Sequence, residues 1–177
     1  MSHVSKLQVA KGKDFTKCSV NFNVSFKVEA LPKESVQMIY PDINYVAVLI
    51  AALANFVAGF LWFGPKTMFP VWWRAMGRTT DDVPGTGNMG LVFGLTLVGV
   101  LVQTFAIAVI LGWYAATGEI NLTSGAMVGA FVGVGSAAAA SLSHRMFAGH
   151  GLKVWIIEVG SDVLNATLVG AVLGALA

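Results

Sequence analysis

The stretch "INYVAVLIAALANFVAGFLWF", residues 43–63, runs for 21 residues without a charge. The hydrocarbon core of a bilayer is about 30 Å thick, and about 20 helical residues cross it. Every backbone polar group in lipid needs a partner within its own segment, and a helix supplies one. The stretch therefore predicts a transmembrane helix.

Three further stretches have the same length and apolar character. They are residues 88–114, 121–143 and 154–177, and the first two of these carry no charge. Continuous apolar runs favour helices over barrel strands, which alternate over about ten residues. The predicted fold class is an all-α integral membrane protein, with four transmembrane helices bundled within residues 38–177 and a lipid bilayer around them.

The composition agrees with this class and excludes others. The chain is 56% hydrophobic and 11% charged, whereas soluble domains carry about 25% charged residues. A net charge of +2 on scattered basic residues argues against a nucleic-acid partner. One cysteine and three dispersed histidines predict neither a disulfide nor a metal site. No catalytic or cofactor-binding motif is present, so we expect neither a cofactor nor an enzyme.

The connections between the spans predict an orientation. Residues 64–87 contain "KTMFPVWWRAMG", whose aromatic residues at helical spacing and basic neighbours indicate a short helix in the membrane interface. The connections 64–87 and 144–153 hold all the loop lysines and arginines, and the second connection holds none. Because such residues favour the cytoplasmic side, we expect both loops to be cytoplasmic and both termini external.

Residues 1–37 differ from the rest of the chain. "CSVNFNVSFKVEA" alternates apolar and polar residues as a strand does, and "KLQVAKGKDF" before it is a possible partner in a β-hairpin. Six lysines in this extension conflict with an external N-terminus. Three interpretations stay open: a small extramembrane cap, an extension upstream of a natural start at Met38, or an inverted topology.

Small residues recur along three of the spans in a pattern typical of a glycine zipper. Such residues let helix backbones approach closely in lipid, where apolar side chains gain little by leaving the bilayer. The pattern indicates tight packing within the bundle, and it also fits contacts in a homo-oligomer or with a larger membrane complex. The residues are Gly90 and Gly94 in the second span, Gly125, Gly129, Gly133 and Ala137 in the third, and Ala166, Gly170 and Gly174 in the fourth.

Two acidic residues interrupt the fourth span. In "WIIEVGSDVLN", residues 155–165, Glu158, Asp162 and Asn165 share one helical face. An acid near the bilayer midplane costs about 2.5–3.5 kcal/mol, so this face should point into the bundle or a subunit interface. The candidate polar site also includes His144 and Arg145 at the end of the third span, with Asn55, Gln103, Thr104 and Ser136 as possible lining.

Three interpretations of this site remain open. Glu158 pairs with Arg145 or Lys153 near the interface while Asp162 and Asn165 make interhelical hydrogen bonds; or a proton or cation pathway passes His144, Glu158 and Asp162; or the face lines a polar pocket for a small ligand. Two functions follow. One is an oligomeric membrane protein that passes protons, ions or a small solute, and the alternative is a non-catalytic accessory subunit of a larger membrane complex.

Several stretches carry a family resemblance. "INYVAVLIAALANFVAGFLWFGP", followed by "WWRAMG" and later by "HRMF" before a fourth apolar helix, resembles domain-of-unknown-function family 1761. The resemblance extends over about residues 38–177, and residues 1–37 lie outside it. It implies a small four-helix membrane protein and supplies no activity, ligand or catalytic residue.

Overall fold

The described part of the chain is built from helices. A computed structural model describes residues 41–79, 81–82 and 88–177. Four of its helices are long and apolar enough to cross a membrane, which confirms the predicted fold class, and a short helix follows the first of them. The hairpin predicted within residues 1–37 and the alternative start at Met38 lie outside the described residues. The helices are α1 (Tyr45–Trp62), α2 (Phe69–Ala75), α3 (Met89–Tyr114), α4 (Leu122–Phe147) and α5 (Gly151–Ala175).

Local sequence determines where these helices begin. Asn44, Asn88 and Asn121 each stand just before an apolar run, and each side-chain oxygen accepts a backbone N–H of the first turn. Asparagine at this position satisfies N–H groups that the helix itself leaves unpaired. Between α4 and α5 the chain turns through Gly149 and Gly151, whose φ angles are 74° and 80°. Glycine adopts this left-handed backbone conformation without steric cost.

The spans run alternately up and down, so the bundle has two ends. At one end Trp62 Nε1 donates a hydrogen bond of 3.2 Å to the carbonyl of Ile157. We call this end, where α2 lies, the α2 side. At the other end, the opposite side, Asn44 Nδ2 donates to the carbonyl of Leu176 at 3.3 Å. Both bonds join α1 to α5, which packs against every other helix.

The contact between α4 and α5 is made by backbone. A Cβ placed on Gly129 would overlap the carbonyl oxygen of Ala166, and one on Gly125 would overlap that of Gly170. Gly174 lies against the backbone of Asn121 in the same way. Only glycine permits so close an approach, so these residues fix the distance between the two helices.

A π-helical turn, Gly133–Ala138, interrupts α4. The wider turn shifts the helical register by one residue. Ala138 is therefore buried, whereas the four-residue spacing from Gly133 predicted Ala137 at this position. Trp155 Nε1 of α5 donates to the carbonyl of Ala138 at 3.3 Å. The tryptophan thus satisfies a carbonyl group at the end of the irregular turn.

An apolar cluster fills the half of the bundle near the opposite side. Small residues of α1 lie there against larger ones of α3 and α5. All members of the cluster are apolar, and a pocket of about 310 Å³ opens beside its outer members at the opposite side. The members of the apolar cluster are Ala47, Val48, Ala51, Ile107, Leu111, Ala166, Val169 and Leu173.

Helix α3 is covered over only half of its length. Its buried residues are Thr104, Ile107 and Leu111, all in the half near the opposite side. In the other half, a Cβ on Gly94 or Gly99 would meet no described atom within 4 Å. The bundle is therefore tightly packed at α4 and α5 and open beside the first half of α3.

Candidate functional site

Glu158 of α5 is bound at both carboxylate oxygens. Its Oε2 lies 2.6 Å from Arg145 Nε at the end of α4, and its Oε1 accepts a hydrogen bond of 2.9 Å from Trp72 Nε1 of α2. The Glu158 side chain is 14% exposed and the Arg145 side chain 38%. The short turn between α4 and α5 brings the two charges together, and the ion pair predicted with Arg145 or Lys153 is formed by Arg145.

A histidine also belongs to this group, and it is His150 rather than His144. Arg145 NH1 lies 3.3 Å from His150 Nδ1. His144 is exposed on the outer surface of α4, because it precedes Arg145 by one residue and so points in a different direction. Lys153 is exposed as well. The group at the α2 side thus consists of Trp72, Arg145, His150 and Glu158.

Asp162 lies one helical turn further into the membrane than Glu158. It is eleven residues from the start of α5, or roughly 16 Å at 1.5 Å per residue. Asn165, three residues on, faces Gly59 of α1, and Ala166, four residues on, faces Gly129 of α4. Asp162 therefore lies on the side of α5 between α1 and α4, where it is half-buried. Among the described residues, no hydrogen bond or ion pair reaches its carboxylate.

Three polar residues beyond Asp162 are buried in the bundle. Asn55 of α1 is 3% exposed, Thr104 of α3 0% and Asn165 of α5 8%. Asn165 Nδ2 donates to Ser161 Oγ on its own helix at 3.3 Å. Within the described part of the chain, Asn55 Nδ2, Thr104 Oγ1 and Asn165 Oδ1 are buried without a hydrogen-bond partner.

Two of the candidate lining residues lie elsewhere. Gln103 is half-buried on α3. It precedes Thr104 by one residue, so its side chain points in a different direction. Ser136 is exposed, and its hydroxyl donates to the carbonyl of Val132 in the π-helical turn. Serine commonly bonds back to its own helix in this way, so Ser136 contributes nothing to the site.

The sequence placed Trp72 in the short interfacial helix. The candidate polar site predicted from the sequence did not include His150 or Ser161. A buried tryptophan needs a partner for its indole N–H, and the acidic Glu158 was the partner available. This requirement predicts that a buried tryptophan has an acceptor nearby. It does not identify which of the neighbouring tryptophans binds Glu158.

Outside the membrane spans, Asp82 forms a small local structure with Thr79 and Arg78. The backbone N–H of Thr79 donates to Asp82 Oδ2 at 2.7 Å, and its hydroxyl at 3.1 Å. These hydrogen bonds, with a smaller contribution from Arg78, hold the pKa of the Asp82 carboxyl below its usual value. Among the described residues, no three histidine, cysteine or acidic side chains stand close enough together to hold a metal ion.

The comparisons with known proteins agree with this architecture. Residues 46–174 match the model of the family described as protein of unknown function, DUF1761. The chain belongs to this family. The match covers most of the chain and includes every residue of the site, and it confirms the resemblance seen in the sequence. No curated protein and no solved structure matches the chain. The protein is thus a multi-pass integral membrane protein from a family without an assigned activity.

Proposed function

We propose that the protein binds a proton or a small monovalent cation at Asp162 and passes it through the membrane. The observation that carries this proposal is a half-buried carboxyl group deep within a span, to which no described residue gives a hydrogen bond or an ion pair. An ionisable residue inside a membrane is rare and costly, and it is by default a candidate functional residue.

The neighbouring acid supports this assignment because it has another task. Both oxygens of Glu158 are occupied, one by Arg145 and the other by Trp72. The ion pair neutralises Glu158 and ties the ends of α4, α5 and α2 together. Asp162 is then left as the acid that can take up a positive charge, whereas the sequence had put both acids at the polar centre.

The surroundings of Asp162 favour access from one side. Toward the α2 side lie the charged and hydrogen-bonding groups of Arg145, His150 and Glu158. Toward the opposite side, a pocket of about 310 Å³ reaches the outer members of the apolar cluster, while the inner members of the cluster are apolar and fully buried. A charged group that crossed this cluster without water would lose its hydration and find no polar group to replace it. We therefore propose that a proton or cation reaches Asp162 from the α2 side.

Flux through purified protein in liposomes tests the proposal. A pH-sensitive dye reports proton entry under an imposed gradient, and parallel sodium and potassium gradients distinguish protons from cations. Asp162→Asn removes the charge with almost no change in size and should abolish the flux. Asp82→Asn makes the same chemical change outside the spans and should leave it intact. Wild-type flux in the Asp162→Asn protein would sink the proposal.

The alternative, an accessory subunit, has one observation in its favour. A wide apolar groove of about 860 Å³ runs along the outer face of α5, from Trp155 to Ala171. It takes either lipid chains or a helix of another membrane protein. Gentle extraction from the native membrane distinguishes the two, because only a partner helix predicts co-purification in a complex much larger than the protein itself.

A further inference from the structure

Asn55, Thr104 and Asn165 lie at one depth in the membrane. Asn55 is ten residues after the start of α1, while Thr104 and Asn165 are ten residues before the ends of α3 and α5. Because the helices alternate in direction, all three stand roughly 15 Å from the opposite side. They come from three helices that pack against one another.

The same three residues border one cluster. Each stands one turn along its helix from a member of the apolar cluster: Asn55 from Ala51, Thr104 from Ile107, and Asn165 from Val169. Residues three or four positions apart share a helical face. The three polar side chains therefore form one layer, directly on top of the apolar cluster. We call it the polar layer.

The unpartnered atoms of the polar layer are complementary. Asn55 Nδ2 needs an acceptor, Asn165 Oδ1 needs a donor, and the Thr104 hydroxyl can serve as either. An unsatisfied buried polar group costs free energy comparable to a lost hydrogen bond. Three hydrogen bonds are therefore missing in the layer, and a suitable molecule between the helices would supply them.

We propose that the polar layer is a binding site for one small neutral molecule with a hydroxyl group, of which water is the smallest. A hydroxyl oxygen accepts from Asn55 Nδ2 and from the Thr104 hydroxyl, and its hydrogen is donated to Asn165 Oδ1. A cation would meet the N–H of Asn55, and an anion would meet the oxygen of Asn165. A neutral donor and acceptor satisfies both.

Helix α3 determines how the site fills. The three unpartnered atoms are fully covered, so a molecule enters only when the layer widens. Thr104 is the first buried residue of α3, and in the half of the helix before it Gly94 and Gly99 face open space. A small outward movement of α3 at Thr104 separates it from α1 and α5. We expect entry from the side of Asp162, because the fully buried inner members of the apolar cluster separate the layer from the opposite side. The site does not depend on the charge of Asp162.

Accessibility of a substituted cysteine tests this site. The native Cys18 is first replaced by serine, and Thr104→Cys is then treated in membranes with a small neutral thiosulfonate. The thiolate is the reacting form and needs contact with water, so Thr104→Cys should react roughly tenfold faster than the controls. Ile107→Cys, one turn further in the apolar cluster, and Val102→Cys, on the 65% exposed outer face of α3, should react slowly.

The outcomes separate this site from the function proposed for Asp162. Fast labelling of Thr104→Cys alone supports the site, even if Asp162→Asn leaves flux unchanged. Equally slow labelling at all three positions overturns it, even if flux depends on Asp162. Equally fast labelling at Ile107→Cys also overturns it, because water would then reach the whole core. Slower labelling of Thr104→Cys in glycerol would identify a polyol as the occupant, and unchanged labelling would identify water.

Discussion

Two rows of glycines in this molecule have opposite surroundings. Gly125 and Gly129 of α4 touch the backbone of α5, and no side chain larger than hydrogen fits between them. Gly94 and Gly99 of α3 also lie within an uncharged span, yet no described atom lies within 4 Å of the position of their missing Cβ. One side of the bundle is fixed by backbone contact, and the other is free to move or to be covered.

The difference shows how the bundle can be both stable and responsive. The α4–α5 contact, with the Arg145–Glu158 pair at its end, provides a rigid support for Asp162. The first half of α3 holds no buried residue, so we expect α3 to be the helix that moves when the polar layer widens. The proposed passage of a proton or cation needs both properties, and they belong to different helices.

The largest effect is expected when the contact between α4 and α5 is disrupted. Gly129→Leu forces α4 away from α5, because its side chain would occupy the space of the Ala166 backbone. We expect a loss of about 3 kcal/mol or more in the free energy of unfolding. Gly94→Leu is the matched control on α3 and should change it by less than about 1 kcal/mol. Denaturant unfolding in detergent, followed by circular dichroism, measures both. Equal losses in the two variants would show that the two rows do not differ.

The next effect concerns the charge pair at the end of the rigid side. Arg145→Gln leaves Glu158 with Trp72 alone. We expect a loss of about 2–3 kcal/mol, less than for a fully buried pair because Arg145 is partly exposed. The double variant Arg145→Gln with Glu158→Gln removes both charges and should recover part of the loss. Additive losses in the same unfolding experiment would contradict a direct pair.

A smaller effect is expected for the bond between α2 and α5. Trp72→Phe keeps the ring but removes the indole N–H that binds Glu158, which should cost about 1 kcal/mol. Its neighbour Trp73 donates instead to the exposed carbonyl of Thr79. Trp73→Phe should therefore change the thermal midpoint less. A larger shift for Trp73→Phe than for Trp72→Phe would contradict the assignment.

The smallest effect is expected at Asp82, which lies outside both regions and serves as a reference for the others. The Thr79 hydrogen bonds lower the pKa of Asp82 in the folded protein. Their contribution to stability is present above the unfolded-state pKa and is lost as the pH falls through the folded one. The difference in unfolding midpoint between wild type and Asp82→Asn should therefore shrink in acid. A difference that does not vary with pH would exclude this cause.

The sequence predicted the four spans well because length and apolarity alone decide them. It also named Arg145 as a partner for Glu158, since a tight turn had to bring the helix ends together. It did not distinguish the glycines of α4 from those of α3, because Gly90 and Gly94 have the same four-residue spacing as Gly125 and Gly129.

Other features depended on tertiary placement. Trp72 reaches Glu158 only because α2 folds back toward α5, and no local pattern encodes that path. The π-helical turn moved the buried position from Ala137 to Ala138, since one wider turn changes the register of everything after it. Asn55 and Thr104 were named as lining residues, but their common depth with Asn165 emerged only from the helix boundaries.

The most direct measurement of the central claim is the accessibility of position 162 from each side of the membrane. Asp162→Cys, with Cys18 replaced by serine, is treated with a membrane-impermeant thiol reagent in vesicles of both orientations. We expect labelling from the α2 side, where Arg145 and Glu158 lie, and none from the opposite side. Labelling from the opposite side, or from neither, would contradict a one-sided path to Asp162.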